Sequence, residues 1–279
     1  MVLEYNTGSH ARGISESHRR LLSRLHRAFS GPFTVADVAR ECVLSRPRAA
    51  RLLAYWASRG WLSRVRRGAY ITVSLQAASP SERKEEPWVV VATLFEPAYI
   101  GGWSACEHWG LTDQIFSDIV VYTSRRLRNR KQTIQGTTYL LKTVSPRRVF
   151  GLTTVWRGQT RVRVSNPSRT IADLLDDPTV GGGIKHVAEV VLEYFSGEHR
   201  DEHALTDYIS RLGNRTIQKR LGYLLETLDI HAPGVVKFCE KNVSSGYSRF
   251  DPSVKARGPI VRRWNLEVNV RITEISSKG

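Results

Sequence analysis

The sequence predicts an α+β protein of two domains, a small helical one ending in a basic hairpin and a larger mixed one. Three observations predict it. Apolar residues recur at helical spacing in three short segments between Glu16 and Gly60. Two β-type runs then flank Gly68. Beyond a polar stretch the pattern passes from β-branched runs to helical ones and back to β-runs, which suits α+β packing rather than regular βαβ winding.

The first helix is read from Leu21, Leu22, Leu25, Ala28 and Phe29, and Gly31-Pro32 ends it. Thr34 precedes Val35, Val38 and Ala39 with Asp37 three residues on, the pattern of an N-cap with an acidic first turn. Cys42-Val43-Leu44 makes a tight connection. Ser45 is expected to cap a third helix whose apolar face is Ala49, Leu52, Leu53 and Trp56 and which stops at Gly60. Trp61–Arg67 and Ala69–Val73 are the strands of a hairpin. Helix, short helix, turn, longer helix and basic hairpin is the order of a winged helix-turn-helix, a motif that usually reads DNA.

The charges agree with that order. Up to Pro80 the chain has 13 Lys/Arg against 4 Asp/Glu, a net of +9 out of +16 for the whole. Ser45, Arg46, Arg48 and Arg51, at the start of the third helix, are expected to face base edges or phosphates in a major groove. Arg64, Arg66 and Arg67 in the wing are placed to reach a flanking phosphate or the minor groove. On a protein-interaction module the same arginines would only solvate a surface. Their concentration on helix and wing favours double-stranded DNA.

Length leaves room for one further domain with a full core, and the division expected is 1–80 and 81–279. Residues 74–87 are polar and bracketed by prolines, either a linker or the start of the next helix. Hydrophobic content of 41% suits a folded chain, and no apolar run approaches the roughly 20 residues that cross a bilayer. The first residues lack a charged-then-apolar signal pattern, and Cys42, Cys106 and Cys239 are too scattered for a disulfide framework. A cytoplasmic protein without membrane contact is expected. The pI near 10.2 points to a polyanionic partner.

In the larger domain, Trp88–Leu94 is continuously apolar, and Ser104 is expected to cap a short helix ended by Gly110. Strands are expected over Asp118–Thr123, Thr138–Val144, Thr153–Trp156 and Thr160–Val164. Helices follow from Asn166 to Leu175, from Gly181 to about Phe195, over Ala204–Leu212 and over Ile217–Leu228. Tyr247–Phe250 and Arg262–Ile272 read as closing strands, the latter from the alternation of Trp264, Leu266, Val268 and Val270. Between the first two strands, Arg125, Arg126, Arg128, Arg130 and Lys131 put five cations in seven residues, a solvated loop residue by residue but as a patch a second polyanion contact.

Several phrases of this domain occur in a familiar order. Arg67-Gly68-Ala69-Tyr70 closes the wing, and Ala98-Tyr99-Ile100-Gly101-Gly102-Trp103-Ser104-Ala105 leads into His108-Trp109-Gly110-Leu111-Thr112-Asp113-Gln114. Residues 164–175, Gly182-Gly183-Ile184, residues 220–226, Asp251-Pro252 and residues 263–269 follow. The ordered set resembles the AbiEi family of antitoxins from type IV toxin–antitoxin systems of abortive infection, a form of phage defence. It covers nearly the whole chain past residue 15. One departure is Asn166-Pro167-Ser168-Arg169, where the family more often has an acidic residue before the Arg.

The resemblance implies two roles. The winged helix would bind inverted repeats in the operon's own promoter and repress transcription. The larger, mixed α/β domain would be the antitoxin, counteracting a cognate nucleotidyltransferase-like toxin directly or indirectly. A monomer in solution is expected, with no cofactor.

Other chemistry finds little support in the residues. His199 and His203 are four apart, but no Cys lies near them, and Cys106 with His108 is too isolated for a closed metal site. A Mg²⁺-dependent nuclease needs a Glu-x-Lys or Asp-x-Lys on a strand beside another carboxylate, and the one such tripeptide, Glu82-Arg83-Lys84, falls in the polar stretch. Gly181-Gly182-Gly183-Ile184-Lys185 lacks the spacing of a phosphate-cradling loop, and Ser104 and Ser168 have no His/Asp partners in prospect. No enzyme is expected. The alternatives are a winged-helix-targeted nuclease and a ligand-responsive transcription regulator.

Overall fold

The structure is a computed structural model and describes residues 15–29, 31–73 and 84–272. The chain is mixed α+β and divides into two compact units, Met1–Glu85 and Glu86–Gly279. The boundary expected near residue 80, and most of the polar stretch, lie outside the described residues.

The first unit holds α1 (Glu16–Ala28), β1 (Phe33–Thr34), α2 (Val35–Glu41), α3 (Arg46–Ser58), β2 (Leu62–Arg66) and β3 (Ala69–Thr72). Its strands form one antiparallel sheet in the order β1-β3-β2, so the hairpin is extended by a two-residue strand that apolar spacing did not reveal. Gly68 turns the hairpin at φ +77°, a conformation that costs glycine little and other residues more. Leu25, Phe33, Val38, Ala49, Leu53 and Trp56 are fully buried, packing the three helices on the sheet. Leu52, expected on the same face, is only half-buried.

The start of α2 is a capping box. Thr34 Oγ1 accepts from the Asp37 amide at 3.3 Å, while the Asp37 carboxylate accepts from the Thr34 amide at 2.9 Å. Thr34→Ala is therefore expected to cost about 1 kcal/mol, read as a lower thermal midpoint of the first unit. Ser45 occupies the N-cap of α3 but makes no capping bond with its side chain. Pro47 in the first turn removes one of the amides such a cap would serve.

The second unit is built on a six-stranded mixed sheet. Its strands are β4 (Ala98–Ile100), β5 (Ile119–Thr123), β6 (Lys131–Ile134), β7 (Thr137–Thr143), β8 (Leu152–Arg157) and β9 (Thr160–Ser165). The order is β6-β7-β5-β4-β9-β8; β5 with β7 and β4 with β9 are parallel, the other neighbours antiparallel. The apolar run Trp88–Leu94 is a helix, α4 (Pro87–Leu94), packed on β4 and β9. Its Pro87 carbonyl accepts from the Tyr139 hydroxyl. Leu140, the next residue of β7, packs with Tyr99, Val120 and Tyr122, so these occupy the opposite face.

On that opposite face lie α5 (Gly102–His108) and α6 (Pro167–Asp176), and α7 (Ile184–Ser196), α8 (Glu202–Leu212), α9 (Thr216–Thr227) and α10 (Pro233–Lys241) pack on α6 and on one another. Ser104 lies inside α5 rather than at its cap, and its hydroxyl accepts from the Val120 amide at 3.1 Å, tying helix to sheet. Asn166 caps α6 through the Arg169 amide. The glycine run Gly181–Gly183 precedes α7, which begins at Ile184.

The closing strands are much shorter than expected. Only β10 (Ser248–Arg249), β11 (Ile260–Val261) and β12 (Leu266–Glu267) form, as a small separate sheet, with a 3-10 turn over Arg262–Trp264. Asn265 takes a left-handed conformation at φ +46°, and the Asn269 side chain bonds the Asp251 and Val254 carbonyls, so the backbone cannot run straight. The alternation of Trp264, Leu266 and Val268 is real burial, but against the helical cluster. Trp264 lies on Gly222 of α9 so closely that an added methyl would sit inside van der Waals contact with the indole. Gly222→Ala gains up to about 1 kcal/mol of helix propensity. Overpacking costs about 1–3 kcal/mol, so net destabilisation in urea unfolding is expected.

Candidate nucleic-acid interface

Helix α3 buries Ala49, Leu53 and Trp56 and turns Arg48, Arg51 and Tyr55 away from that stripe. Ser45 and Arg46 at its start are exposed too. On the hairpin Arg64 and Arg67 are exposed, and Arg66 is half-buried. The Arg64 guanidinium stands 5.8 Å from the Tyr70 ring, and Arg59 lies over Tyr55 at 5.4 Å, so aromatic faces orient two of these cations without neutralising them.

The distribution of partners sets this face apart. The carboxylates of α1 and α2 are all engaged: Glu16 by Arg20, Glu41 by Arg24 and Asp37 by Arg40. Between Glu41 and Glu82 the sequence has seven arginines and no carboxylate. Among the described residues, Arg46, Arg48, Arg51, Arg64 and Arg67 form no ion pair. A groove of about 540 Å³ runs between α1 and α3, floored by Leu21, Leu44 and Leu52 and rimmed by Arg48, Arg51 and Tyr55. Beside it Val43, at φ +52° in the turn between α2 and α3, is 87% exposed. The sequence marks Val43 as part of a tight connection, and the structure adds its left-handed backbone and its exposure.

The second cationic patch divides. Arg125 donates to the Leu94 carbonyl at 3.2 Å, closing the C-terminal end of α4, and Lys131 pairs with Asp118 at 3.5 Å. Both have structural partners, whereas Arg126, Arg128 and Arg130 are exposed and, among the described residues, unpaired. The patch is thus three free cations rather than five.

The metal and nuclease candidates stay apart. His199 lies between α7 and α8 with its Nε2 bonded to the Trp109 carbonyl, while His203 is exposed on α8. Burial pushes the Cys106 thiol well up and, with Arg157, pushes the His108 imidazole down. Among the described residues no three His, Cys, Asp or Glu side chains are grouped as a metal site would require. Glu82 and Arg83 lie outside the described residues.

One polar centre was missed. Arg169 and Asp173, a helical turn apart on α6, are 1% and 2% exposed and paired at 3.0 Å. The Tyr99 hydroxyl accepts from Arg169 at 3.1 Å and donates to Asp173 at 3.2 Å, and the Phe150 carbonyl takes a further guanidinium proton. Burial holds the Asp173 carboxyl above its ordinary range against the pull of Arg169. The Tyr99 ring stacks on Tyr122 at 4.8 Å, anchoring sheet to helix. With every main partner inside the fold, this centre is a structural anchor. Among the described residues no helix is long and apolar enough to cross a membrane. No protein-family model matches the chain, and no curated protein proved similar to it.

Proposed function

We propose that the first unit is a winged helix-turn-helix that binds double-stranded promoter DNA, with α3 in the major groove and the hairpin along the backbone. The observation that carries this reading is the run of arginines from Arg46 to Arg67 without a carboxylate, six of the seven without an ion pair among the described residues. Counterion release from phosphates rewards that arrangement, whereas a surface built only for solubility mixes its signs. Taken with the resemblance to AbiEi antitoxins, the chain acts as an autorepressor and antitoxin of a type IV toxin–antitoxin system. In that role the second unit opposes a nucleotidyltransferase-like toxin without catalysing a reaction.

A separation-of-function experiment tests both halves. The full chain carrying Arg46→Ala, Arg48→Ala and Arg51→Ala is co-expressed with the cognate nucleotidyltransferase-like toxin that the resemblance implies, beside a reporter on the upstream region. The reporter is expected to be derepressed while cells remain protected. Undiminished repression contradicts the DNA-binding half. Failure of the wild-type chain to protect contradicts the antitoxin half.

A further inference from the structure

The β8–β9 hairpin carries a feature that duplex binding does not require. Trp156, one residue before the end of β8, is 55% exposed on an edge strand. Its directly paired neighbour is Arg161, whose guanidinium lies 4.9 Å from the indole centroid. The next pair on the same face is Thr154 with Arg163. Among the described residues neither arginine pairs with a carboxylate, although Arg157, on the other face, reaches Glu86 at 4.0 Å.

The topology gathers more charge at this end of the sheet. Because β4 is parallel to β9 and antiparallel to β5, the turn Gly158-Gln159 and the loop holding Arg126, Arg128 and Arg130 leave the sheet at the same end. Against these cations stands Glu96, exposed ahead of β4. The bases of a duplex are stacked on one another and offer no face to an indole. A single strand offers every base's face, and an aromatic side chain beside a cationic track is how such strands are held. We propose that Trp156, with Arg161 and Arg163, forms a stacking platform for single-stranded nucleic acid, whose phosphates run toward the loop of Arg126, Arg128 and Arg130.

This surface is distinct from the promoter-binding face, and the test keeps the two apart. Fluorescence anisotropy is measured on the full chain with oligo-dT and oligo-U of about 12 nucleotides, a length within ordinary single-strand site sizes. A duplex of the upstream region is the third probe. All proteins are compared in the wild-type background and with Arg46, Arg48 and Arg51 replaced by Ala, which removes single-strand contacts made by the first unit. Trp156→Ala and Arg161→Glu are each expected to weaken oligonucleotide binding about tenfold in both backgrounds, while Trp156→Tyr retains it. Duplex affinity in the wild-type background should stay unchanged by the Trp156 substitutions. The tighter of the two oligonucleotides identifies the strand as DNA or RNA. Wild-type affinity of Trp156→Ala for both oligonucleotides overturns the proposal, as does a parallel loss of duplex and single-strand binding.

Discussion

Asp173→Ala is expected to destabilise the second unit by about 3–5 kcal/mol, the cost of leaving a buried charge without its partner. The Arg169 guanidinium is sealed beneath Phe150, whose ring it faces at 4.2 Å, and beside Tyr99. With the carboxylate gone, a carbonyl and a phenol oxygen must carry a full positive charge at 1% exposure. That loss is a large part of the 5–15 kcal/mol by which ordinary domains are stable. Replacing both residues by Leu removes the buried charge altogether and is expected to recover most of the loss. Urea unfolding followed by circular dichroism gives the result: a large fall in midpoint for Asp173→Ala, a small one for the double variant. An unchanged midpoint for Asp173→Ala would show that Arg169 is not held as described.

The second large effect concerns α3. Arg46→Ala, Arg48→Ala and Arg51→Ala each remove an exposed cation without opening the core, since Ala49, Leu53 and Trp56 make the buried contacts. A bidentate contact to a base is worth about 1–3 kcal/mol, so on the proposed reading the three losses together are expected to weaken operator binding by at least about a hundredfold. A residue that touches only phosphate behaves differently, weakening all sequences alike. Gel shifts on the upstream region and on an unrelated duplex distinguish the two kinds of residue. Thermal midpoints should be unchanged, which separates lost contacts from lost folding.

Much of the first unit was legible because its causes are local. The Thr34–Asp37 box, the apolar spacing of α1 and α3 and the turn at Gly68 all act within a few residues. The Ser45 cap failed because a proline in the same turn had already changed which amides needed partners. The central strands and helices of the second unit were legible too, but in its closing segment the signals were read correctly as burial and wrongly as conformation. Trp264, Leu266 and Val268 alternate like a strand, yet their burial is decided by Gly222 and the helices. The Arg169–Asp173 spacing was visible, but its meaning depends on Tyr99, distant in sequence and neighbouring in space. Arg125 and Lys131 belonged to the cationic run by sequence and leave it by virtue of Leu94 and Asp118.

The central claim is that the unpaired arginines of α3 and the hairpin meet the phosphates and bases of a duplex. Its most direct test is the salt dependence of binding to the upstream duplex, for the wild type and for a variant with Arg46, Arg48, Arg51, Arg64 and Arg67 all replaced by Ala. The wild-type affinity should fall steeply with salt, and the slope should shrink by about one for each phosphate contact removed. Equal affinity and equal slope for the two proteins would contradict the account.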